Sequence, residues 1–214
     1  MYSGRVSLRR LLPIAAIALL SSSCASLIDA TVSDNSELAS ILEADQKDRQ
    51  SDIAQIDWAK VGPRDAERRA KVKKLLDSGQ VRTGPDFTRA SLVFQHGDGS
   101  DDILMAHILA VTALGKGDHD ARRMSAITLD RYLNRIGQAQ VFGTQFNTSN
   151  LKDPTQWTMD PYRSDFISDA LRAHNCVEPL AEQQKILKDM REGRDLQEPK
   201  DKTCDMPIPP AAGQ

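Results

Sequence analysis

Apolar residues recur three and four positions apart in several separate blocks, which is helical periodicity rather than the alternation of a half-buried strand. Leu38, Ile41 and Leu42 follow the pair Asp34-x-x-Glu37, which reads as a capping box, so a first helix is expected over 34–50, followed by a short apolar stretch at 53–58. Gly62-Pro63 is expected to break the chain, and 64–78 to form a helix with the narrow stripe Val72, Leu75 and Leu76, closed by Gly79. Further helices are expected from Asp86 to His96 and, after a cap at Ser100, over 101–114. The latter is apolar almost all round, the pattern of a central buried rod. Gly115-Lys116-Gly117 is short enough to make it an antiparallel neighbour of the next helix, which ends at Gly137.

After Gly137 the texture changes. Residues 140–146 carry strand-forming types, and 156–159 supply a hairpin partner. Two more helices are expected near 162–174 and 179–192, then a Pro-rich extended tail. The fold class that follows is mainly α, a single-domain helical bundle over 34–192 with a small β-hairpin near 140–160 and a tail over 193–214.

The first residues change the expected location of the chain. Arg5, Arg9 and Arg10 precede an apolar run, Leu11 to Leu20, and the small-residue stretch Ser21-Ser22-Ser23-Cys24-Ala25, the layout of a bacterial export signal over 1–24. Ten apolar residues make a helix of about 15 Å, half of a hydrocarbon core, so this is not a membrane span. Cleavage before Cys24 would leave a lipidated cysteine; cleavage after Ala25 would release the chain into the periplasm. Removing the first 24 residues takes away three positive charges and no negative one, moving the formal charge from −2 to −5. Of the three cysteines, Cys176 and Cys204 then remain as an even pair in an oxidising compartment, where a disulfide between them would pin the tail.

Composition excludes several classes. Aromatic residues at 5% and a balance of 28 basic to 30 acidic residues give neither stacking platforms nor a basic field, so no nucleic-acid partner is expected. A membrane contact is expected only through a lipid on Cys24, and nothing sets an oligomeric state. The segment 60–89 is locally basic, with nine Lys or Arg against four acids, and reads as a solvated helix face. Zincin, Cys-x-x-Cys, Walker, nucleophile-elbow and dinucleotide patterns are absent, and no cofactor or metal site is implied. Asp98 to Asp102 hints at a calcium loop, yet Ile103 stands where the turn needs glycine and Leu109 where the terminal glutamate belongs, so a turn and helix cap is expected.

The informative feature is polarity where the stripes call for apolar side chains. Continuing Leu38–Ile41–Leu42 reaches Asp45 and then Arg49; Asp130 and Asn134 fall inside the arc Ala126, Ile127, Leu129, Leu133, Ile136, with Arg131 at its edge; His107 sits among Ile103, Leu104, Ala110 and Val111; His96 flanks Leu92 and Val93, near Asp98. Unpaired buried charge is costly, so these groups are expected to converge on a shared polar cleft. Each has a bland alternative: an ordinary ion pair for Asp45 and Arg49, a satisfied core histidine for His107, a capping carboxylate for Asp130.

The motifs Asp45-x-x-x-Arg49, Gln95-His96-Gly97-Asp98, Leu129-Asp130-Arg131 and Gly137-x-x-Gln140-x-Phe142-Gly143-Thr144-Gln145 together resemble the signature of an uncharacterised bacterial domain-of-unknown-function family, with Arg172 and Val177-Glu178-Pro179-Leu180 similar to its closing helical segment. Gly97 replaces the family's usual alanine, and Phe142 its usual tyrosine. The resemblance implies a common domain and a shared site but no reaction.

Three functions remain open. The leading one is a cell-envelope protein holding a small polar ligand among Asp45, Arg49, Gln95, Asp98, His107, Arg131, Gln140, Thr144 and Gln145. The second is a hydrolase or other acid–base enzyme using His96 and Asp130. The third is a structural domain whose polar network fixes helix register, in which Thr144 and Gln145 satisfy buried backbone groups.

Overall fold

A computed structural model describes residues 32–51 and 55–194. The expected export signal, Cys24, Cys204 and the Pro-rich tail lie outside the described residues, as does part of the apolar stretch at 53–58. Among the described residues the chain is mainly helical: α1 (Ser36–Lys47), α2 (Trp58–Asp77), α3 (Gly84–Phe94), α4 (Ser100–Gly115), α5 (Ala121–Arg135), α6 (Asp169–His174) and α7 (Leu180–Arg191).

Leu38 and Ile41 of α1, Val72 and Leu75 of α2, Ala90, Val93 and Phe94 of α3, and Ala106 and Leu109 of α4 form one hydrophobic core. The α1 stripe is buried as its periodicity requires, and Asp45 continues it at zero exposure. The cap differs by one residue: Asn35, not Asp34, accepts from the Leu38 amide. Asp34 instead accepts from Thr83 Oγ1 at 2.7 Å and pairs with Arg89, a charge-assisted alternative stronger than a local cap.

Gly62-Pro63 does not break the chain; both lie inside α2. Pro63 leaves the carbonyl of Ala59 without its helical donor, but both residues are exposed, so that carbonyl is open to solvent. α3 begins two residues earlier than expected because Thr83 caps it and Pro85 occupies the first turn. α4 packs against α3 and α5 but is not enclosed: Met105, Ile108 and Val111 lie on an open face, with Ile108 50% exposed.

The expected hairpin is replaced by irregular chain. Among the described residues no strand forms; Asn147 and Thr158 make an isolated antiparallel bridge, and Gln140 and Tyr162 a parallel one. The reason is that 140–145 spends its backbone amides on side chains rather than on a partner strand: Val141, Phe142 and Thr144 all donate to Asp130. Gly143 fixes the turn, with φ +82° and a site where an added Cβ would fall 2.4 Å from Gln183 Oε1.

Residues 162–168 are likewise not helical. They wrap the buried Arg172 of the short α6, whose guanidinium donates to the carbonyls of Ser164 and Ile167, to the Tyr162 hydroxyl and to Asp169. Gln183 of α7 closes this region by donating to the Phe142 carbonyl at 2.6 Å and accepting from Tyr162.

Candidate functional site

Between the α1–α2 connection, the end of α3, the last turn of α5 and the loop after it lies a cleft of about 690 Å³, a volume suited to a small molecule. One wall carries Arg49, Asp65 and Trp58, the α3 end contributes Gln95, His96 and Asp98, and the opposite wall carries Arg131, Asn134 and Arg135 with Gln145 and Phe146 above them.

A chain of alternating charge runs from the cleft into the contact between α1 and α2. Asp45, fully buried, lies 3.1 Å from His96 Nδ1 and 3.1 Å from Arg49. Arg49 reaches on to Asp65, Asp65 accepts from Arg68 at 2.9 Å, and Arg68 contacts Asp48, which also holds Arg64 at 3.0 Å. Burial pushes the Asp45 carboxyl up, but the hydrogen bond and charge of His96, the charge of Arg49 and the Gln46 amide outweigh it, leaving the group below its ordinary value. An ionised Asp45 only accepts, so the proton on His96 sits on Nδ1 in the neutral ring and Nε2 is left as an acceptor on the cleft side.

Arg131 bridges the other side. Its Nε donates to Gln145 Oε1 at 3.1 Å and one terminal nitrogen donates to the Gln95 carbonyl at 2.9 Å, tying α5 to the end of α3. Burial, together with the charges of Arg135 and Arg49, lowers its pKa from the ordinary arginine value. The neighbouring Asn134 has both side-chain polar atoms buried with no hydrogen-bond partner in the described structure.

The structure divides the sequence-expected residues in two. Asp45, Arg49, Gln95, His96, Asp98, Arg131 and Gln145 are brought to the cleft or directly beneath it. Asp98 is on the rim, 90% exposed and 3.6 Å from Arg69. Asp130 is not the partner of His96; that role falls to Asp45. The Asp130 oxygens accept four hydrogen bonds, from the amides of Val141, Phe142 and Thr144 and from the Thr144 hydroxyl, which organises the loop carrying Gln145. Thr144 is thereby consumed as a support.

Gln140 is also structural: buried, it accepts from the Gln145 amide at 2.9 Å and donates to the carbonyls of Gln145 and Met159. His107 joins α4 to α5, with Nδ1 3.1 Å from the Ser125 carbonyl, and burial lowers its pKa despite that bond. It takes no part in the cleft lining.

Sequence reasoning missed Asp65, Arg68, Arg135 and the two aromatic lining residues. Val61, Asp65, Arg68, Val72 and Leu75 share one helical face and are all buried, so extending the α2 stripe through Gly62-Pro63 would have exposed the ion-pair network. Arg135 lies one turn beyond Arg131 on the same face. In the basic segment at 60–89, Arg68, Arg69 and Arg89 each meet carboxylates and are shielded, so this part of the segment is ion-paired rather than a solvated face.

The four motif segments quoted above therefore meet around one cleft and its supports. Comparison of the chain with protein-family models, with curated proteins and with solved structures gave no match.

Proposed function

We propose that this chain is an exported bacterial cell-envelope protein whose helical domain binds a small polar ligand in the cleft. The observation that carries the reading is unspent hydrogen-bonding capacity on rigid elements: the Gln95 amide, His96 Nε2 and the Asn134 amide line the cavity without protein partners among the described residues. Of these only the Asn134 amide is buried, Gln95 and His96 being half-buried; buried polar groups are ordinarily satisfied, and a ligand is one way to satisfy that amide. The Arg5–Leu20–Cys24 layout supports export, and the resemblance to an uncharacterised bacterial domain family supports a common site. Mass spectrometry of the mature amino terminus distinguishes a lipidated Cys24 from cleavage after Ala25. A non-reducing diagonal gel tests the proposed Cys176–Cys204 bridge.

The experiment for the ligand is a thermal-shift titration with carboxylic acids, sugar phosphates, amino acids and neutral sugars. A ligand at one hundred times its Kd stabilises by about 2.7 kcal/mol, a shift of several degrees. Saturable stabilisation that Gln95→Ala weakens is the expected result; no saturable binder in any of the four classes contradicts it.

A second reading is favoured by the His96–Asp45 pair. A buried carboxylate orienting an imidazole whose other nitrogen faces a cavity is the arrangement of a general base. Among the described residues the lining holds no Ser, Thr, Cys or Lys, which favours a base acting on water over one acting on a side-chain nucleophile. In that case His96→Ala abolishes turnover with little change in Tm, and an unchanged rate contradicts it.

A further inference from the structure

We propose that the molecule taken by the cleft carries an oxyanion, a carboxylate or a phosphate, and that this group docks on Arg131, Arg135 and Asn134. The inference rests on the reading of the cleft as a ligand site and adds the chemistry of its occupant.

It follows from the pairing of arginines across the molecule. Arg49, Arg68, Arg69, Arg89, Arg123 and Arg172 are shielded side chains, from 2% to 27% exposed, and each has at least one carboxylate partner. Arg131 is shielded too, yet its only hydrogen bonds among the described residues go to an amide oxygen and a backbone carbonyl. No carboxylate within the described residues neutralises it. The charges of Arg135 and Arg49 act on it with the same sign, and Arg49 is already occupied by Asp45 and Asp65.

A half-buried guanidinium without a counter-charge is an expensive arrangement, and truncation of the ligand's anionic group would restore that cost. Arg131, Asn134 and Arg135 are spaced three and four apart on α5 and all line the cleft, so one anion can meet all three. The Asn134 side-chain nitrogen, buried and unpartnered, supplies a neutral donor beside the two cations. One Arg131 terminal nitrogen has no acceptor among the described residues, which leaves its N–H groups for an incoming oxyanion. His96 lines the same cleft from the end of α3, and Trp58 and Phe146 offer apolar surface for the rest of the molecule.

The test uses the full chain and isothermal titration with inorganic phosphate, citrate and glucose, on the wild type and on Arg135→Gln, Arg135→Lys and Arg131→Gln. Arg135 is exposed and makes no hydrogen bond or ion pair among the described residues, so its variants keep the fold. Saturable binding of phosphate or citrate, weakened at least tenfold by Arg135→Gln and Arg131→Gln, largely retained by Arg135→Lys and falling with added KCl, is the expected result; which of the two anions binds tells phosphate from carboxylate. Anion affinity unchanged in both glutamine variants overturns the assignment to these arginines. Glucose binding while neither anion binds overturns the oxyanion and leaves the cleft as a ligand site. No binding of any of the three overturns the oxyanion, and the wider thermal-shift panel then decides whether the cleft binds anything.

Discussion

His96 Nδ1 and the carboxylate of Asp45 lie 3.1 Å apart although 51 residues separate them in the chain, and Asp45 has no exposed surface at all. The pair fixes the imidazole with its second nitrogen on the cleft and holds the end of α3 against α1. Its acid behaviour follows from the lowered pKa of Asp45. A depressed carboxyl contributes stability that is present above its unfolded value, about 3.9, and is lost as pH falls through the folded value. Asp45→Asn is expected to lower stability at pH 7 and to flatten the acid limb below about pH 4. Urea denaturation at pH 7 and at pH 3 checks this; an equal loss at both values contradicts it.

Asp130 anchors a loop rather than a reaction. Replacing it with Asn removes the charge and turns an NH2 group toward donors, leaving at least one of three part-buried amides unsatisfied. A loss of about 3 kcal/mol is expected. Chemical denaturation measures it, and hydrogen exchange of Val141, Phe142 and Thr144 should accelerate together. A near-neutral variant with protected amides would show that the carboxylate does not organise the loop.

His107 adds a second pH dependence of its own. Burial lowers its pKa from 6.5, so below about pH 6.5 the unfolded chain takes up a proton that the folded chain refuses. Stability therefore declines as pH falls from about 6.5 toward the folded value and levels off beneath it. The facing groups on α5 are the Ser125 carbonyl and the Thr128 hydroxyl, neither of which supplies a counter-charge. In His107→Gln this part of the pH profile should disappear; a profile identical to wild type between pH 5 and 7 contradicts the assignment.

Gly97 is a fit to Asp102. A Cβ added at Gly97 would lie 2.1 Å from the Asp102 Cβ, at the point where Asp102 also holds Arg69 Nε at 3.2 Å. Gly97→Ala is expected to cost about 2 kcal/mol through overpacking. Pairing it with Asp102→Gly should recover part of the loss in a double-mutant cycle. Strict additivity of the two changes would separate the sites.

The parts of this molecule that were legible in the sequence were those governed by short-range periodicity. The stripe Leu38–Ile41–Asp45 marked the carboxylate as inward, and the Gly115-Lys116-Gly117 link placed α4 beside α5. What the sequence left open was partner choice. Nothing local distinguishes Asp45 from Asp130 as the companion of His96, because both are acids on buried faces; the amides of 141, 142 and 144 decide it by claiming Asp130. The expected hairpin failed for the same reason. Strand-forming side chains at 140–146 were outweighed by a carboxylate that offered the backbone better acceptors than a second strand. Gly62-Pro63 misled because the proline falls in an exposed early part of α2, where the carbonyl it leaves without a donor is open to solvent.

The central claim is that polar groups from α1, α3 and α5 form one ligand-binding cleft. Its most direct test is nuclear magnetic resonance of the isotope-labelled chain, following the Arg131 Nε–H, the His96 ring and the backbone amides of 95–98 and 145–147 during titration with citrate, phosphate, amino acids and neutral sugars. The account predicts that at least one of these produces saturable shifts confined to those signals. Shifts scattered over the surface, or none that saturate with any of the four, would contradict it.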